Sequence, residues 1–324
     1  MKNNTASKTI LKTLLAAAAL STVSLSSLAS ALPRPEHVVM VVEENRAFSN
    51  IIGYSGASYI NTLAQYGALM TNSYAIDGSS QPNYLQLFSG SNQGVQDNTI
   101  QQQPFNTPNL SSALGAKGLT FTGYSESLPS VGYTGASYSA DPNQNQYVRK
   151  HNPWVNWQGA SANAVSPTQT QPLTSFPTND FSNLPTVSVV IPNEQDNMHD
   201  GGRAAGDQWL RQNLDAYVQW ANTHNSLFIL TWDEDDGSSN KHIATLLLGP
   251  MVVPGQYDQA ITHLNVLRTL EDMYGLEHLG DTAGVAPIAN AFLPDASVPE
   301  PSILVLLAAG GFFPLLTTLA KRAG

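Results

Sequence analysis

The chain has 324 residues, no cysteine and a formal net charge of −10, and this length allows one large α/β domain or two smaller domains. The absence of cysteine excludes disulfides and thiolate metal sites, so any bound metal must rest on histidine, carboxylate, amide or hydroxyl groups. Residues 32–301 hold nine basic and 24 acidic residues, a net charge of −15 that disfavours nucleic acid as a partner.

The first 31 residues have the pattern of a secretory signal peptide. Three lysines precede the apolar run LLAAAALSTVSLSSLAS, which closes on Ala-Ser-Ala at residues 29–31. A basic segment, an apolar segment and a small-residue cleavage site are typical of export signals, so we expect a mature chain that begins near Leu32. The alternative, an N-terminal membrane anchor, is less favoured because the apolar run is short and interrupted by serine.

Apolar runs alternate with helical patterns over residues 32–295, which we interpret as one domain. Short runs rich in β-branched or aromatic residues predict buried strands at 37–45, 119–127, 185–193, 226–234 and 242–250. Helical patterns fall at 58–66, 82–88, 108–117, 204–222 and 261–274. Together they predict an α/β fold with a mostly parallel central sheet covered by helices on both faces. The polar stretches 91–107 and 125–180 are interpreted as long surface insertions, because neither could form its own core.

Polar side chains follow three of these strands at the point where each ends. Glu44 and Asn45 follow the first strand, the segment EQDNMHDGG follows the strand at 185–193, and Asp233 and Glu234 open an acidic turn. In open α/β sheets ligands bind beyond the carboxyl ends of the strands, so we expect these groups to meet at one edge. Each group taken alone is equally consistent with a solvated strand exit or a helix cap.

The segment DGSSQPNYLQLFSG at 77–90 raises the same choice for Ser80. A serine before a helix can cap its first turn, and it can also present a nucleophilic hydroxyl at the helix N-terminus, where phosphate binds readily. His37, His151, His224 and His278 have no companions in the sequence and are interpreted as structural or surface residues.

Six segments, in this order along the chain, resemble one family. They are VVEENRAF, SQPNYLQLFSG, DNMHD, LTWDEDDG, HIATLLLGP and HLNVLRTLEDMYGL. They are similar to segments of the bacterial phosphoesterase family that contains acid phosphatases and phosphatidylcholine-cleaving phospholipases C. The resemblance implies the alkaline-phosphatase-like fold and metal-dependent hydrolysis of phosphate esters. In that superfamily the hydroxyl of a hydroxyl-x-Pro-Asn turn attacks phosphorus, and residues 80–83 match this turn.

The resemblance implies a role for each matching residue. Ser80 would be the nucleophile, while Asn83 and His263 would bind the substrate, Asn83 by turning its amide towards a phosphoryl oxygen. Carboxylate, amide and imidazole groups would hold one or two divalent cations, with Glu44, Asn45, Asp233 and Glu234 at the first. Asp196, His199 and His242 would hold the second cation, or stabilise the leaving group if only one is bound. The superfamily's Asp-His-Gly motif reads Asp233-Glu234 here, which leaves metal identity and number open. Two alternatives stay open: a phospholipase C acting on diesters, and a catalytically silent surface or matrix binding protein.

The C-terminal segment 298–324 ends the chain with a second apolar run. Residues 302–320 carry no charge and are followed by Lys321 and Arg322, and about 20 apolar residues suffice to span a bilayer. The Pro-Glu-Pro at 299–301, the span and the basic finish resemble the PEP-CTERM sorting tail of Gram-negative bacteria. This resemblance implies an exosortase-type sorting protease as a partner, a membrane span and delivery to the cell envelope or beyond. The alternative is a permanent anchor.

Overall fold

The computed structural model describes residues 32–160 and 162–293. Its strands are β1 (His37–Glu43), β2 (Ala68–Tyr74), β3 (Phe121–Ser125), β4 (Ser137–Tyr138), β5 (Tyr147–Val148), β6 (Thr170–Pro172), β7 (Val187–Ile191), β8 (Ser226–Trp232), β9 (His242–Leu248), β10 (Gly255–Tyr257) and β11 (Ile261–Thr262). Its α-helices are α1 (Phe48–Ile51), α2 (Ser58–Tyr66), α3 (Ser80–Ser89), α4 (Leu110–Ala116), α5 (Arg203–Ala221) and α6 (His263–Tyr274). Both predicted targeting segments, 1–31 and 298–324, lie outside the described residues. Within those residues, every helix is too short or too polar to cross a membrane.

A nine-stranded sheet runs through the molecule in the order β10-β2-β9-β8-β1-β7-β3-β6, with β11 also beside β2. Strand β9 is antiparallel to β2 and β8, and the other pairings that the described residues make in this sheet are parallel. The carboxyl ends of β1, β2, β3, β7 and β8 therefore lie at one edge. The predicted mostly parallel sheet is confirmed.

Strand β1 shows why the sheet is covered on both faces. Val38, Met40 and Val42 belong to one buried apolar cluster, while Val39 and Val41 belong to another, because successive side chains of a strand point to opposite faces. Side chains of α3, α4 and α6 complete the first cluster, and those of α2 and α5 complete the second. The expected layer of helices on each face is confirmed.

Strand β2 is a strand that the sequence does not predict. Its sequence ALMTNSY turns polar in the second half, so it shows neither alternation nor a continuous apolar run. The structure accommodates this polarity by pairing the buried Ser73 Oγ with Thr245 Oγ1 of β9 at 2.8 Å. The strand ends at the same edge as β1 and β8, and from there the chain passes to α3.

The polar insertion 125–180 is partly buried. Trp154 and Trp157 are fully buried, and their rings pack against Phe88 of α3, with ring centroids 6.4 Å and 5.5 Å away. A 3₁₀ helix at Arg149–His151 precedes these tryptophans. Its last residue, His151, is buried, with 1% of its surface exposed. The insertion therefore supplies a buried histidine to the edge of the sheet where the strand ends meet.

Candidate active site

The register of two neighbouring strands brings four predicted residues together. Strands β1 and β8 are parallel, with Glu43 opposite Trp232, so the residues that follow them leave the sheet at the same level. The backbone N–H of Asn45 donates to Asp233 Oδ1 at 3.1 Å. Glu44 and Asn45 therefore lie beside Asp233 and Glu234, as expected from the positions of these residues after β1 and β8.

Ser80 lies between two of these carboxylates. Its Oγ is 3.1 Å from Glu234 Oε1 and 3.3 Å from Glu44 Oε2, and the residue is 1% exposed. A hydroxyl has one proton, so it donates to one carboxylate at a time. The N-cap of α3 is Ser79, whose side chain makes no capping bond. Ser80 is therefore the first helical residue. Its hydroxyl donates a hydrogen bond to a carboxylate instead of capping the helix.

Tyr84 follows Ser80 by one helical turn, which puts both side chains on the same face of α3. Its hydroxyl donates to Glu44 Oε1 at 2.7 Å. Burial, and then the nearby charge of Glu44, raise the pKa of Tyr84 well above its ordinary value, so the phenol stays a neutral donor. Helix α3 thus directs two hydroxyls at Glu44.

His151 connects Glu44 to a further carboxylate that was not predicted. Its Nε2 lies 2.9 Å from Glu44 Oε1, and its Nδ1 lies 2.9 Å from Glu194 Oε1. Burial alone would lower the pKa of His151, but the two carboxylates raise it to about 9. Burial also opposes ionisation of Glu194, yet His151 and then His199 lower its pKa to about 2. The three groups therefore form a buried chain of alternating charge.

Sequence reasoning missed His151 and Glu194 for different reasons. His151 sits in a polar stretch without a neighbouring motif, so the sequence gives no signal for it. Glu194 comes three residues after the end of β7, as Glu44 comes directly after β1. The position of Glu194 shortly after a strand is a signal for a site residue. The Asp-x-x-His spacing of Asp196 and His199 favours those two residues instead.

His199 meets Glu194 and Asp200, and not the predicted Asp196. Its Nδ1 lies 2.7 Å from Asp200 Oδ1 and 3.2 Å from Glu194 Oε2, and these three residues are close enough to share a cation. Asp196 instead pairs with Glu126, and burial raises the pKa of both carboxyls. The structure therefore brings His199 to Glu194 and Asp200 instead of to Asp196, because the turn directs Asp196 towards Glu126 at the end of β3.

The structure does not place His242 and His263 as predicted. His242 Nε2 donates to the Thr71 carbonyl at 2.9 Å, and its ring stacks on Phe48 and Tyr74, so it joins strands instead of holding the second cation. His263 Nε2 donates to the backbone oxygen of Asp233 at 2.6 Å. Burial lowers the pKa of His263 to about 4. This neutral ring therefore holds the backbone of Asp233 through its Nε2.

Asn83 also differs from the prediction of a phosphoryl-binding amide. Its Oδ1 accepts from the backbone N–H groups of Ile76 and Asp77 at 3.0 Å and 2.9 Å. Its Nδ2 donates to the carbonyls of Asp77 and Ser79, both at 3.0 Å. Both hydrogens of the amide are used, so none is left for a substrate. Asn83 instead fixes the turn that delivers Ser80.

The residues around Ser80 have the chemistry of a divalent-cation site. Burial, followed by the charges of Glu44 and Glu234, raises the pKa of Asp233 well above its ordinary value. Burial and then Glu44 raise the pKa of Glu234 to about 7. Asn45 Oδ1 and Asp233 Oδ2 are buried without a hydrogen-bond partner among the described residues. Buried carboxylates and unsatisfied oxygens are unfavourable unless a cation compensates them, and an all-oxygen set suits a hard cation.

An open cleft of about 370 Å³ gives access to this cluster. Asn45 and Glu234 line it together with the turn at 235–237 and Lys241. The Lys241 ammonium donates to the Ile76 carbonyl at 2.5 Å, beside the turn that carries Ser80. The cleft therefore opens the Asn45 and Glu234 side of the cluster to solvent, while Ser80 itself is buried beside it.

Comparison with known proteins defines the class of this chain. The fold resembles a crystal structure of an alkaline phosphatase superfamily protein from Vibrio parahaemolyticus, with a TM-score of 0.52, 12% identity and coverage of 82% of this chain and 76% of that one. Residues 54–277 match the model of the phosphoesterase family. The chain is a hydrolase acting on phosphate esters. It belongs to the phosphoesterase family.

Three relatives show how far the likeness extends. The chain is 47% identical over 263 residues to a phosphatidylinositol-3-phosphatase of Mycobacterium tuberculosis, covering 81% of this chain and 84% of that protein. It is 33% identical to an acid phosphatase of Aspergillus fumigatus over 67% of this chain. It is 32% identical to a phosphate-repressible acid phosphatase of Penicillium chrysogenum over 68% of this chain. The chain spans 51% and 55% of these two fungal proteins.

Proposed function

We propose that the protein hydrolyses phosphate monoesters by way of a phosphoserine at Ser80. One observation carries this proposal: the Ser80 hydroxyl lies within 3.3 Å of two buried carboxylates at the carboxyl edge of the sheet. In the first step Ser80 Oγ loses its proton to solvent and attacks phosphorus, and the bond from phosphorus to the ester oxygen breaks. In the second step water gives a proton to the imidazole that protonated the leaving group and attacks phosphorus; the bond from phosphorus to Ser80 Oγ breaks, Ser80 Oγ takes up a proton, and phosphate leaves.

A divalent cation fits this site, and Glu44, Asn45, Asp233 and Glu234 would hold it. When bound, the cation would supply positive charge that favours the alkoxide of Ser80 and neutralises the phosphoryl oxygens. The protein's own groups fix the positions of these carboxylates. Tyr84 and His151 contact the side chain of Glu44, while His263 donates to the backbone of Asp233. Removal of divalent cations with a chelator should abolish turnover, and full activity after exhaustive chelation would contradict the assignment.

His199 supplies the acid of the first step in this proposal. Its side chain is 31% exposed, whereas His151 is buried, so of the two imidazoles beside Glu194 it is His199 that reaches solvent. An alkoxide leaving group needs a proton as its bond to phosphorus breaks. We assign His199 to that transfer, oriented by Asp200 and Glu194.

The substrate class that we propose is the monoester phosphate of an inositol lipid. Support comes from the Mycobacterium tuberculosis relative, which matches most of both chains and is named for phosphatidylinositol 3-phosphate. The open polar cleft fits a charged headgroup. Release of inorganic phosphate from phosphatidylinositol monophosphate, measured beside release of phosphocholine from phosphatidylcholine, tests this choice. Phosphocholine release alone would favour a phospholipase C, and no release from any ester would favour a silent binding protein.

We also propose export of the protein through the signal peptide at 1–31, with sorting by the tail at 298–324. Support rests on the sequence patterns of the two segments. Mass spectrometry of protein released from cells should find an N-terminus near Leu32 and no residues beyond the Pro-Glu-Pro at 299–301. An intact tail on the released protein would contradict sorting by cleavage.

A further inference from the structure

One arginine connects two loops at the carboxyl edge of the sheet. The first loop follows β1 and carries Asn45, and the second follows β7 and carries His199. The Arg46 guanidinium donates to the Asn45 carbonyl at 2.8 Å. It also donates to two carbonyls of the second loop, that of Met198 at 2.5 Å and that of Gly201 at 3.4 Å. A single side chain therefore bonds the backbone of both loops.

Two of the three residues bonded to Arg46 have a left-handed backbone. The φ angle is 45° at Asn45 and 76° at Met198, a region that residues other than glycine rarely adopt. Asparagine tolerates this conformation, whereas it is unfavourable for a methionine. Such a backbone persists only where the surrounding contacts impose it. The Met198 side chain is fully buried, so packing fixes the side chain and Arg46 fixes the carbonyl.

The contacts of Arg46 are those of a geometric link and not of a counter-charge. In the part of the chain that the structure describes, every hydrogen bond of its side chain goes to a backbone carbonyl. The neighbouring Asp236 carboxylate instead accepts from Asn50 at 2.5 Å and from the backbone N–H of Ser238 at 3.2 Å. A planar guanidinium can bond several acceptors in fixed directions, which a lysine ammonium on a flexible stem cannot do.

We propose that Arg46 is a positioning residue, which fixes the cation ligand Asn45 and the acid His199 relative to each other. The inference rests on the proposed function, because both of these roles belong to that mechanism. Arg46 acts on Asn45 directly, through the carbonyl of that residue. It acts on His199 through Met198, because the peptide group that it holds joins these two residues. Without this bond the left-handed backbone at Met198 can relax, and the imidazole moves with it.

Arg46→Met tests this role, because methionine keeps part of the stem and cannot donate a hydrogen bond. The bond from the Glu44 N–H to the Asn197 carbonyl at 2.8 Å still joins the two loops, so the fold should be retained, which circular dichroism measures. The dissociation constant for Mn²⁺, followed by electron paramagnetic resonance of the free ion, should rise by at least about ten-fold. Hydrolysis of an alkyl phosphate should fall at least about ten-fold more than that of p-nitrophenyl phosphate, because only the alkoxide needs a proton from His199.

Arg203→Met is the matched control. Arg203 is half-buried like Arg46 and also donates to a backbone carbonyl, that of Asn50 at 2.7 Å. The described residues show no hydrogen bond from Arg203 to either left-handed residue, so its replacement should change neither measurement. Arg46→Lys separates geometry from charge. It should show both losses with its charge retained, and it is the milder variant if the methionine protein does not fold.

Four results would overturn this role. They are an Arg46→Met protein that matches the unmodified protein in either measurement, equal losses in Arg203→Met, an Arg46→Lys protein that matches the unmodified protein, and loss of the folded state in both Arg46 variants. The last result would assign Arg46 to stability alone. Failure of the proposed function is recognised separately, because the unmodified protein then hydrolyses neither ester. In that case the Mn²⁺ affinities of Arg46→Met and Arg203→Met still test the contact with Asn45.

Discussion

Asn83 illustrates at the residue scale how a fully bonded side chain fixes the position of its neighbour Ser80, the nucleophile that we propose. Replacing it by aspartate keeps its size but exchanges two donors for acceptors, which then face the carbonyls of Asp77 and Ser79. Because buried acceptors left unpaired are costly, Asn83→Asp should lower the free energy of unfolding by about 2–4 kcal/mol. Urea unfolding measures this, with the exposed Asn183→Asp as control. Equal stability of the two variants would contradict the role given to Asn83.

The acid role of His199 predicts a dependence on the leaving group. In His199→Gln, hydrolysis of an alkyl phosphate should fall by about 10²–10⁴-fold, because the alkoxide is no longer protonated as it leaves. Hydrolysis of p-nitrophenyl phosphate should fall far less, since nitrophenolate leaves without a proton. Steady-state kinetics on the two esters measure the difference. An equal loss on both would show that His199 positions other groups and does not supply the proton.

At the scale of elements, His151 is the link between the insertion and the sheet. His151→Leu removes the charge between Glu44 and Glu194 while both remain buried. Breaking a buried pair in this way should lower the free energy of unfolding by about 3–5 kcal/mol. His278→Leu is the control, because it breaks the half-exposed contact with Asp272, where about 0–1 kcal/mol is expected.

A second variant keeps this test decisive. Adding Glu194→Gln to His151→Leu removes one of the two unpaired charges, so part of the lost stability should return. Denaturant unfolding of the single and double variants gives the coupling between the two sites. A double variant less stable than His151→Leu would contradict the ion pair.

The sequence predicts those elements whose secondary structure is determined by their own residues. The runs that form β1, β7, β8 and β9 are predominantly apolar, so the sheet and the acids at its edge are predictable from patterning. Strands such as β2, β6 and β10 are short or polar, and they form because neighbouring strands supply the pairing. His151 depends on the packing of Trp154 and Trp157 against α3, a tertiary contact that no local pattern contains.

At the scale of the whole molecule, the buried acids couple stability to pH and to cations. Asp233 and Glu234 have raised pKa values in the fold, so their contribution to the stability of the cation-free protein should be lost as pH rises. For Glu234 this loss falls between 4.5, the ordinary value for glutamate, and about 7, where Glu234 ionises. Glu194 and His263 act in the opposite direction, because their lowered pKa values remove stability as pH falls, below 4.5 for Glu194 and between 6.5 and about 4 for His263.

Thermal unfolding measures this coupling with and without a divalent cation. The cation should raise Tm more above the pKa of Glu234 than below it, because only the ionised carboxylates bind a metal well. Glu234→Gln should reduce the difference, whereas the exposed Glu277→Gln should leave it unchanged. A cation effect on Tm that is independent of pH would contradict a carboxylate site.

The central claim is that Ser80 carries the phosphoryl group, and trapping the intermediate tests it most directly. The enzyme is mixed with a phosphate-labelled monoester, quenched in acid and mapped by peptide mass spectrometry. We predict label on Ser80, no label in Ser80→Ala, and a fall in turnover of at least about 10³-fold in that variant with its fold retained. Label on Ser79, or no label from the unmodified enzyme together with an active Ser80→Ala, would contradict the account.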